Sequence, residues 1–312
     1  MNRTSLEGRG GLWPSLRRDL NKYKYVYLMA IPVVAYYIIF HYVPMYGAII
    51  AFKDFSPMLG IIRSPWVGFK HFRDFFQSFY FWRLMRNTIL LSTYQLVFGF
   101  PAPIVLALLL NEVKNQFFKK SVQTITYLPH FISLVVVCGM IKDFTMSGGL
   151  INDIIAYFGG ERAPLLQDPG LFRTIYVVSG IWQEIGWGSI IFLAALAAID
   201  QELYEAAAID GAGRFRQAIH VTLPGIMPTI VILLILRLGR MLSVGFEKII
   251  LLYNPATYET ADVISTFVYR RGLQEFSWSF SSAVGLFNSA INFILLIAAN
   301  KISQRLEQTT LW

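Results

Sequence analysis

Residues 87–111 read NTILLSTYQLVFGFPAPIVLALLLN, twenty-five positions without an Asp, Glu, Lys or Arg. A helix needs about 20 such residues to cross roughly 30 Å of hydrocarbon, whereas a buried helix of a soluble domain needs only about 10–14. Working outward, residues 25–52, 121–141 and 276–300 form three more charge-free runs. Residues 174–199 contain only Glu184, and residues 226–246 contain Arg237 and Arg240 in an otherwise apolar pattern. The chain is therefore expected to be an all-α membrane protein with six transmembrane helices. The first lies at about 25–42, with 43–52 as its outer continuation because Pro32 and Pro44 interrupt the run. The others are placed at 87–111, 121–141, 174–199, 226–248 and 278–300.

Composition agrees. Of 312 residues, 55% are hydrophobic and 15% charged, with a mean hydropathy of +0.51. Soluble chains carry about 25% charged residues, so a water-covered surface would be hard to build here. A lone cysteine, Cys138, excludes a disulfide scaffold and a cysteine-based zinc site. The net charge of +8 is read as basic residues on membrane-flanking segments rather than as a nucleic-acid footprint.

The organisation follows from the spans. Residues 1–24 form a basic tail with Arg3, Arg9, Arg17, Arg18, Lys22 and Lys24, and no small-residue cleavage site follows a short apolar stretch. Residues 25–86 hold the first helix and a long external loop, 87–300 the main bundle, and 301–312 a C-terminal tail. Thirteen basic residues fall on the side of the N-terminus and twelve on the other. The dense first tail breaks this near-tie and places both termini in the cytoplasm. The segments 48–86, 142–173 and 249–275 are then external. Within the first, FKHFRDFFQSFYFWRLMR at 69–86 interleaves rings and cations, as one or two interfacial helices at headgroup depth do; whether they make a plain amphipathic lid or a substrate-facing platform is left open by the sequence.

Residues 200–228 read DQELYEAAAIDGAGRFRQAIHVTLPGIMP. Residues 202–209 are helix-prone, Gly211 and Gly213 break that helix, and 214–221 suit a second. Leu223-Pro224-Gly225 is expected to stop it and turn the chain into the fifth span. The result is a helix–turn–helix at the membrane surface that offers Tyr204, Glu205, Asp210, Arg214 and Phe215 to a groove on another protein.

The stretch EAAAIDGAGRFRQAIHVTLP, 205–224, resembles the EAA loop of permease subunits in binding-protein-dependent ABC importers. Glu205, Ala206, Ala207, Gly211, Val221, Leu223 and Pro224 match by position; Asp210 and Ala212 fit the sugar-importer variant, and Val221 stands where Ile is commoner. The segments IPVVAYYIIFHYVPMYGAIIAFKDF and GFEKIILLYNPATYETADVIST look like the branch that carries complex oligosaccharides or polysaccharide fragments, near the maltose-type permeases. The resemblance implies a type I ABC importer permease fold with a cytoplasmic EAA coupling loop in the bacterial cell membrane. It also implies a second permease subunit in a hetero-dimer, two ATPase subunits and an extracellular substrate-binding protein. ATP and Mg would sit on the partner ATPase, with no cofactor on this chain. Tyr204, Glu205, Ala206, Ala207, Asp210, Gly211, Arg214, Phe215, Leu223 and Pro224 are the expected coupling residues.

Polar groups inside the spans are the candidates for a substrate path: Tyr94, Gln95, Glu184, Arg237, Arg240, Glu247, Asn288 and Asn292. Arg237 and Arg240 lie three apart on one helix face, with Glu184 as the expected partner in an interhelical pair or a path lining. Amides and hydroxyls would meet sugar OH groups, although interhelical hydrogen bonding explains any one of them as well. Met45, Phe246 and Phe287 are further possible lining groups, or ordinary core. No P-loop, H-E-x-x-H or G-x-S-x-G occurs, and His41, His71, His130 and His220 show no ligand spacing, so the chain by itself is not expected to be an enzyme. The rival reading is a secondary, ion-coupled transporter that uses Glu184 and Arg237/Arg240 as a relay; no internal duplication supports it.

Overall fold

The computed structural model describes residues 22–305; most of the basic N-terminal tail and residues 306–312 lie outside the described residues. The described chain is helical, with one isolated antiparallel bridge between Lys53 and Trp66. Six stretches are long and apolar enough to cross a membrane: Lys24–Phe52, Phe81–Glu112, Leu134–Tyr157, Pro169–Ala197, Arg214–Leu238 and Trp278–Gln304. We call them the first to sixth spans. By their alternation, Lys24, the turn after Glu112, the 200–217 elbow and Lys301 fall at one end of the bundle.

Three prolines inside spans are accommodated by one repeated device. A π turn precedes Pro44, Pro101 and Pro224, at Ile38–Tyr42, Gln95–Gly99 and Ala218–Thr222 respectively. In each, the residue just before the proline donates its N–H to the carbonyl five residues back: Val43 to Ile38, Phe100 to Gln95, Leu223 to Ala218. Proline has no N–H and its ring crowds the carbonyl four residues back, so one widened turn lets the helix continue instead of breaking. Leu223-Pro224 therefore does not stop the helix that leaves the elbow, contrary to the sequence expectation.

Two span boundaries also differ from the charge-free runs. Residues 121–141 are not one helix. Gln116–Tyr127 ends in a short 3-10 turn, Leu128–Phe131, that contains Pro129, and Ser133 caps a fresh helix, Leu134–Thr145. Near the break, the backbone of Thr126 presses against Gly186 in the middle of the fourth span, and an added Cβ there would lie 2.1 Å from the Thr126 carbonyl oxygen. The fifth span ends at Leu238 rather than 248. Gly239 lies close under Leu296, residues 239–245 unwind, and Phe246–Leu252 forms a separate short helix. Its Lys248, Ile249 and Leu252 are buried, the latter two among Val137, Cys138, Ile141, Phe172 and Tyr176.

The aromatic stretch at 69–86 is divided between two elements, with Phe69, Phe79 and Trp82 exposed. Lys70–Gln77 is a short helix, and Phe81 already begins the second span. Phe75 is 1% exposed and meets Phe81, Phe267, Phe280 and Phe287, so these rings form core. The 253–275 segment is tied over this cluster by Asp262, which is fully enclosed. Arg270 reaches it at 2.7 Å and Arg83 at 3.4 Å, and the Thr266 hydroxyl donates to it at 2.8 Å. Burial works against the Arg270 charge, yet the hydrogen bonds and charge of Asp262 outweigh it and hold the Arg270 pKa above its ordinary value.

Candidate functional site

Two places carry function-bearing geometry. The first is the elbow. Asp200 caps Gln201–Ile209 by accepting the Glu202 N–H at 3.0 Å. The helix ends on Gly211 at φ +76°, where a Cβ would be strained, and Ala212 N–H returns to the Ala207 carbonyl at 2.9 Å. Side chains then lock the two arms together. Gln217 Nε2 donates to the Ala212 carbonyl at 3.0 Å, and Tyr204 Oη donates to Thr222 Oγ1 at 3.1 Å. Thr222 is buried and lies in the π turn that leads into the fifth span.

What this bracing leaves outside is equally specific. Glu205, Ala206, Asp210, Gly211, Arg214 and Phe215 are exposed; Tyr204, Ala207 and Leu223 are half-buried, and Pro224 is exposed. Ile209 is 87% and Phe215 78% exposed, on either side of the turn. A self-braced knob with apolar tips, continuous with a membrane-crossing helix, can transmit a push from a protein that grips it.

The second place is a cavity of about 660 Å³ between the second, fourth and fifth spans and the Phe246–Leu252 helix. Gln95, Tyr176, Glu184, Arg237, Arg240 and Lys248 are its polar lining groups of interest. A smaller recess of about 270 Å³ shares Gln95, Tyr176, Arg237 and Arg240 and is also walled by Ser92, Met241 and Ser243. Non-helical backbone at membrane depth is tolerated where it lines a cavity, which is where residues 241–245 lie. Asn292 fixes that segment: its Oδ1 accepts the Leu242 N–H at 2.9 Å and its Nδ2 donates to Ser243 Oγ at 3.0 Å. Ser92 Oγ donates to the Met241 carbonyl.

The charges are not arranged as the sequence implied. Glu184 does not pair with either arginine. Its Oε2 lies 3.1 Å from Nδ1 of His130, whose ring stacks flat on Trp187 at 4.5 Å. Arg237 Nη2 instead donates to the neutral Gln95 Oε1 at 2.7 Å. Arg240 makes no ion pair or side-chain hydrogen bond among the described residues. Lys248, 7% exposed, donates to the Tyr176 carbonyl at 3.2 Å and lies 5.2 Å from the centroid of that ring. Gly180 makes room for this convergence, since a Cβ would sit 3.1 Å from Gln95 Nε2 and 3.4 Å from Lys248 Nζ. A cation inside a span costs about 2.5–3.5 kcal/mol on insertion scales, and Arg237, at the end of the fifth span, has an amide rather than a carboxylate as its partner.

Other candidates fall elsewhere. Tyr94 is at the surface beside Phe98, Glu247 is exposed, and neither lines the cavity. Asn288 is half-buried outside the cavity, with an enclosed side-chain oxygen that has no hydrogen-bond partner. Phe287 is core, Phe246 walls a separate recess, and Met45 is exposed on the first span. Tyr176 is not among the sequence candidates; Lys248, beside Glu247 at the outer end of the expected fifth span, reads from sequence either as a group that could meet substrate or the binding protein or as a solvated helix end.

Comparison with known proteins places this geometry. The sequence model of the binding-protein-dependent transport system inner membrane component matches residues 99–308. Protein LplB of Bacillus subtilis (strain 168) is 48% identical over 307 residues, 98% of this chain and 95% of that protein. The polygalacturonan/rhamnogalacturonan transport system permease protein YteP of the same organism is 48% identical, over 90% of this chain and 88% of its own. A crystal structure of a bacterial ABC transporter involved in the import of the acidic polysaccharide alginate superposes with a TM-score of 0.89 at 45% identity, covering 94% of this chain and all of that one. A second structure, of the alginate transporter with its alginate pentasaccharide-bound periplasmic protein, superposes equally well at 44% identity over 97% of this chain and all of that one. The chain belongs to the family of multi-pass inner-membrane components of binding-protein-dependent transport systems.

Proposed function

We propose that this chain forms half of the translocation path of an ABC importer for an oligosaccharide or polysaccharide fragment and takes its drive through the elbow. The observation that carries the reading is mechanical. The elbow is braced by Tyr204–Thr222 and Gln217–Ala212, and its second arm runs without a break through Pro224 to Leu238, which precedes Arg240 and the cavity wall. A displacement of the exposed tip is then delivered to the cavity rather than absorbed in a hinge. Relatives named for polygalacturonan and alginate transport support a polysaccharide fragment as cargo.

In this reading two ATPase subunits grip the elbows of this chain and of a second, different permease subunit, and an extracellular binding protein delivers the cargo. ATP and Mg are bound by the ATPases and no cofactor by this chain; no nucleic acid is involved. The elbow and both termini are cytoplasmic. Glu205, Ala206, Ala207, Asp210, Gly211, Arg214 and Phe215 meet the ATPase. Tyr204, Leu223 and Pro224 carry the motion inward. Gln95, Glu184, Arg237 and Arg240 line the path, and Asn292 sets the shape of its wall.

The test is Gly211→Asp in the reconstituted complex. An aspartate at φ +76° strains the turn and adds charge at the docking tip, so membrane insertion should persist while uptake and binding-protein-stimulated ATP hydrolysis fall at least tenfold. Unchanged uptake, or labelling of the elbow from outside intact cells, would refute the coupling role.

A further inference from the structure

We propose that the helix Leu150–Tyr157 lies half-embedded in the outer leaflet of the bilayer, and that lipid acyl chains fill the groove beneath it on the back of the fourth span. The choice of leaflet rests on the permease reading above, which puts the elbow in the cytoplasm. The third span turns sharply at Gly148-Gly149, where a Cβ on Gly149 would sit 2.2 Å from the Asp143 carbonyl oxygen, and then forms this helix. Asn152, fully buried, pins it from one side. Its Nδ2 donates to the carbonyls of Met146 and Ala163, both at 2.8 Å, and its Oδ1 accepts the Ala163 N–H at 3.0 Å. Asp153, on the neighbouring flank, pairs with Arg162 at 2.6 Å, and both side chains are exposed.

The remaining arc is apolar and open. At about 100° per residue, Leu150, Ile151, Ile154, Tyr157 and the following Phe158 fall on one side. All five are exposed, Tyr157 by 86% and Phe158 by 81%. Ile151 also roofs a groove of about 450 Å³ between the third and fourth spans, walled by Val137, Ile141, Phe144, Val178 and Trp182. No charged side chain lines it among the described residues. The open arc of the helix and the outer walls of two spans are therefore one continuous apolar surface. A short amphipathic helix whose apolar side adjoins a surface already in hydrocarbon, and whose charged flank is in water, has the geometry of an interfacial helix. Tyr157 then falls at headgroup depth, where tyrosine is enriched.

Position on the fourth span selects lipid over the second permease subunit. Ile175, Val178 and Trp182 wall the groove, whereas Tyr176, Gly180 and Glu184 wall the cavity. By the same 100° spacing the two sets lie on opposite sides of this helix. The second subunit completes the path from the cavity side, which leaves the groove side to the bilayer. Acyl chains packed there bear on the back of the wall that lines the path.

The complete importer in nanodiscs of phosphatidylethanolamine and phosphatidylglycerol decides the matter, with Cys138 and the partners' cysteines replaced by serine. Nitroxide labels are placed by Ile154→Cys, Phe158→Cys, Val178→Cys and, as the water-exposed control, Glu161→Cys. The ratio of collisions with dissolved oxygen to collisions with a water-soluble nickel chelate should be at least fivefold higher at the first three than at the control. Phe158→Asp should lower that ratio at position 154 at least twofold. Ratios at 154 and 158 equal to the control put the helix in water and overturn the proposal. Low access of both agents at 178, with disulfide capture of the second permease from that position, puts protein in the groove and overturns it too. Tyr157→Cys, on the same arc, replaces either helix position if that variant does not assemble. Depth is read without transport, so a wild-type complex that lacks ATP-dependent uptake counts against the permease reading alone.

Discussion

Asp262 is enclosed between two arginines that come from positions 83 and 270, with the amide of Asn87 donating to its backbone carbonyl at 3.0 Å. Removing one partner of such a buried set leaves uncompensated charge and typically costs about 3–5 kcal/mol. Asp262→Ala should lower the unfolding midpoint of the purified protein by a corresponding amount, in detergent at fixed lipid content. Asp262→Asn should do less harm because it can still accept from Thr266. Equal midpoints for wild type and the alanine variant would show that the arginines find other partners. Nothing in the sequence marked this residue. An aspartate in ETADVIST is unremarkable until the fold brings Arg83, 179 positions away, beside it. Lys248 was obscure for the same reason, since its burial comes from Tyr176 on another span.

At the scale of elements, close helix contacts are set by glycines that look alike in sequence. Gly186 and Gly139 both sit in spans, but an added Cβ at Gly186 would strike the Thr126 backbone, whereas Gly139 has nothing within 4 Å. Overpacking against backbone costs about 1–3 kcal/mol, while Gly to Ala in an open helical position is favourable by about 1 kcal/mol. Gly186→Ala is therefore expected to lower thermal stability and Gly139→Ala to leave it level or raise it; the reverse order in a detergent unfolding assay would contradict the packing. The length of each charge-free run set the number of crossings, and hydrophobicity alone is enough for that. The run at 121–141 misled because transfer energy is blind to backbone geometry, whereas Pro129 and Ser133 are local signals of a break. The continuity through Pro224 needed the π turn, which is a backbone adjustment that residue type does not announce.

The whole molecule leaves one element almost without partners. From Lys22 to Ile50 no residue is buried, and the first span meets the bundle mainly through Tyr46–Phe52, against the sixth. We expect the second permease subunit of the proposed assembly to cover this helix. A photo-crosslinking residue at Met29 or Val33, which share a face, should capture that subunit in intact membranes; capture of lipid alone would place the helix outside the assembly. The chain by itself determined the class: six apolar stretches of membrane length, a docking elbow between the fourth and fifth, and its family likeness all follow from local pattern, because hydrophobic length and short-range turn chemistry are properties of contiguous residues. Only tertiary structure decided which polar groups pair with one another. Glu184 went to His130 and left Arg237, Arg240 and Lys248 around a common space, an outcome set by helix rotation and by the unwound segment after Leu238. Coulomb energy depends on distances between residues far apart in the chain, and those distances exist only once the helices have packed.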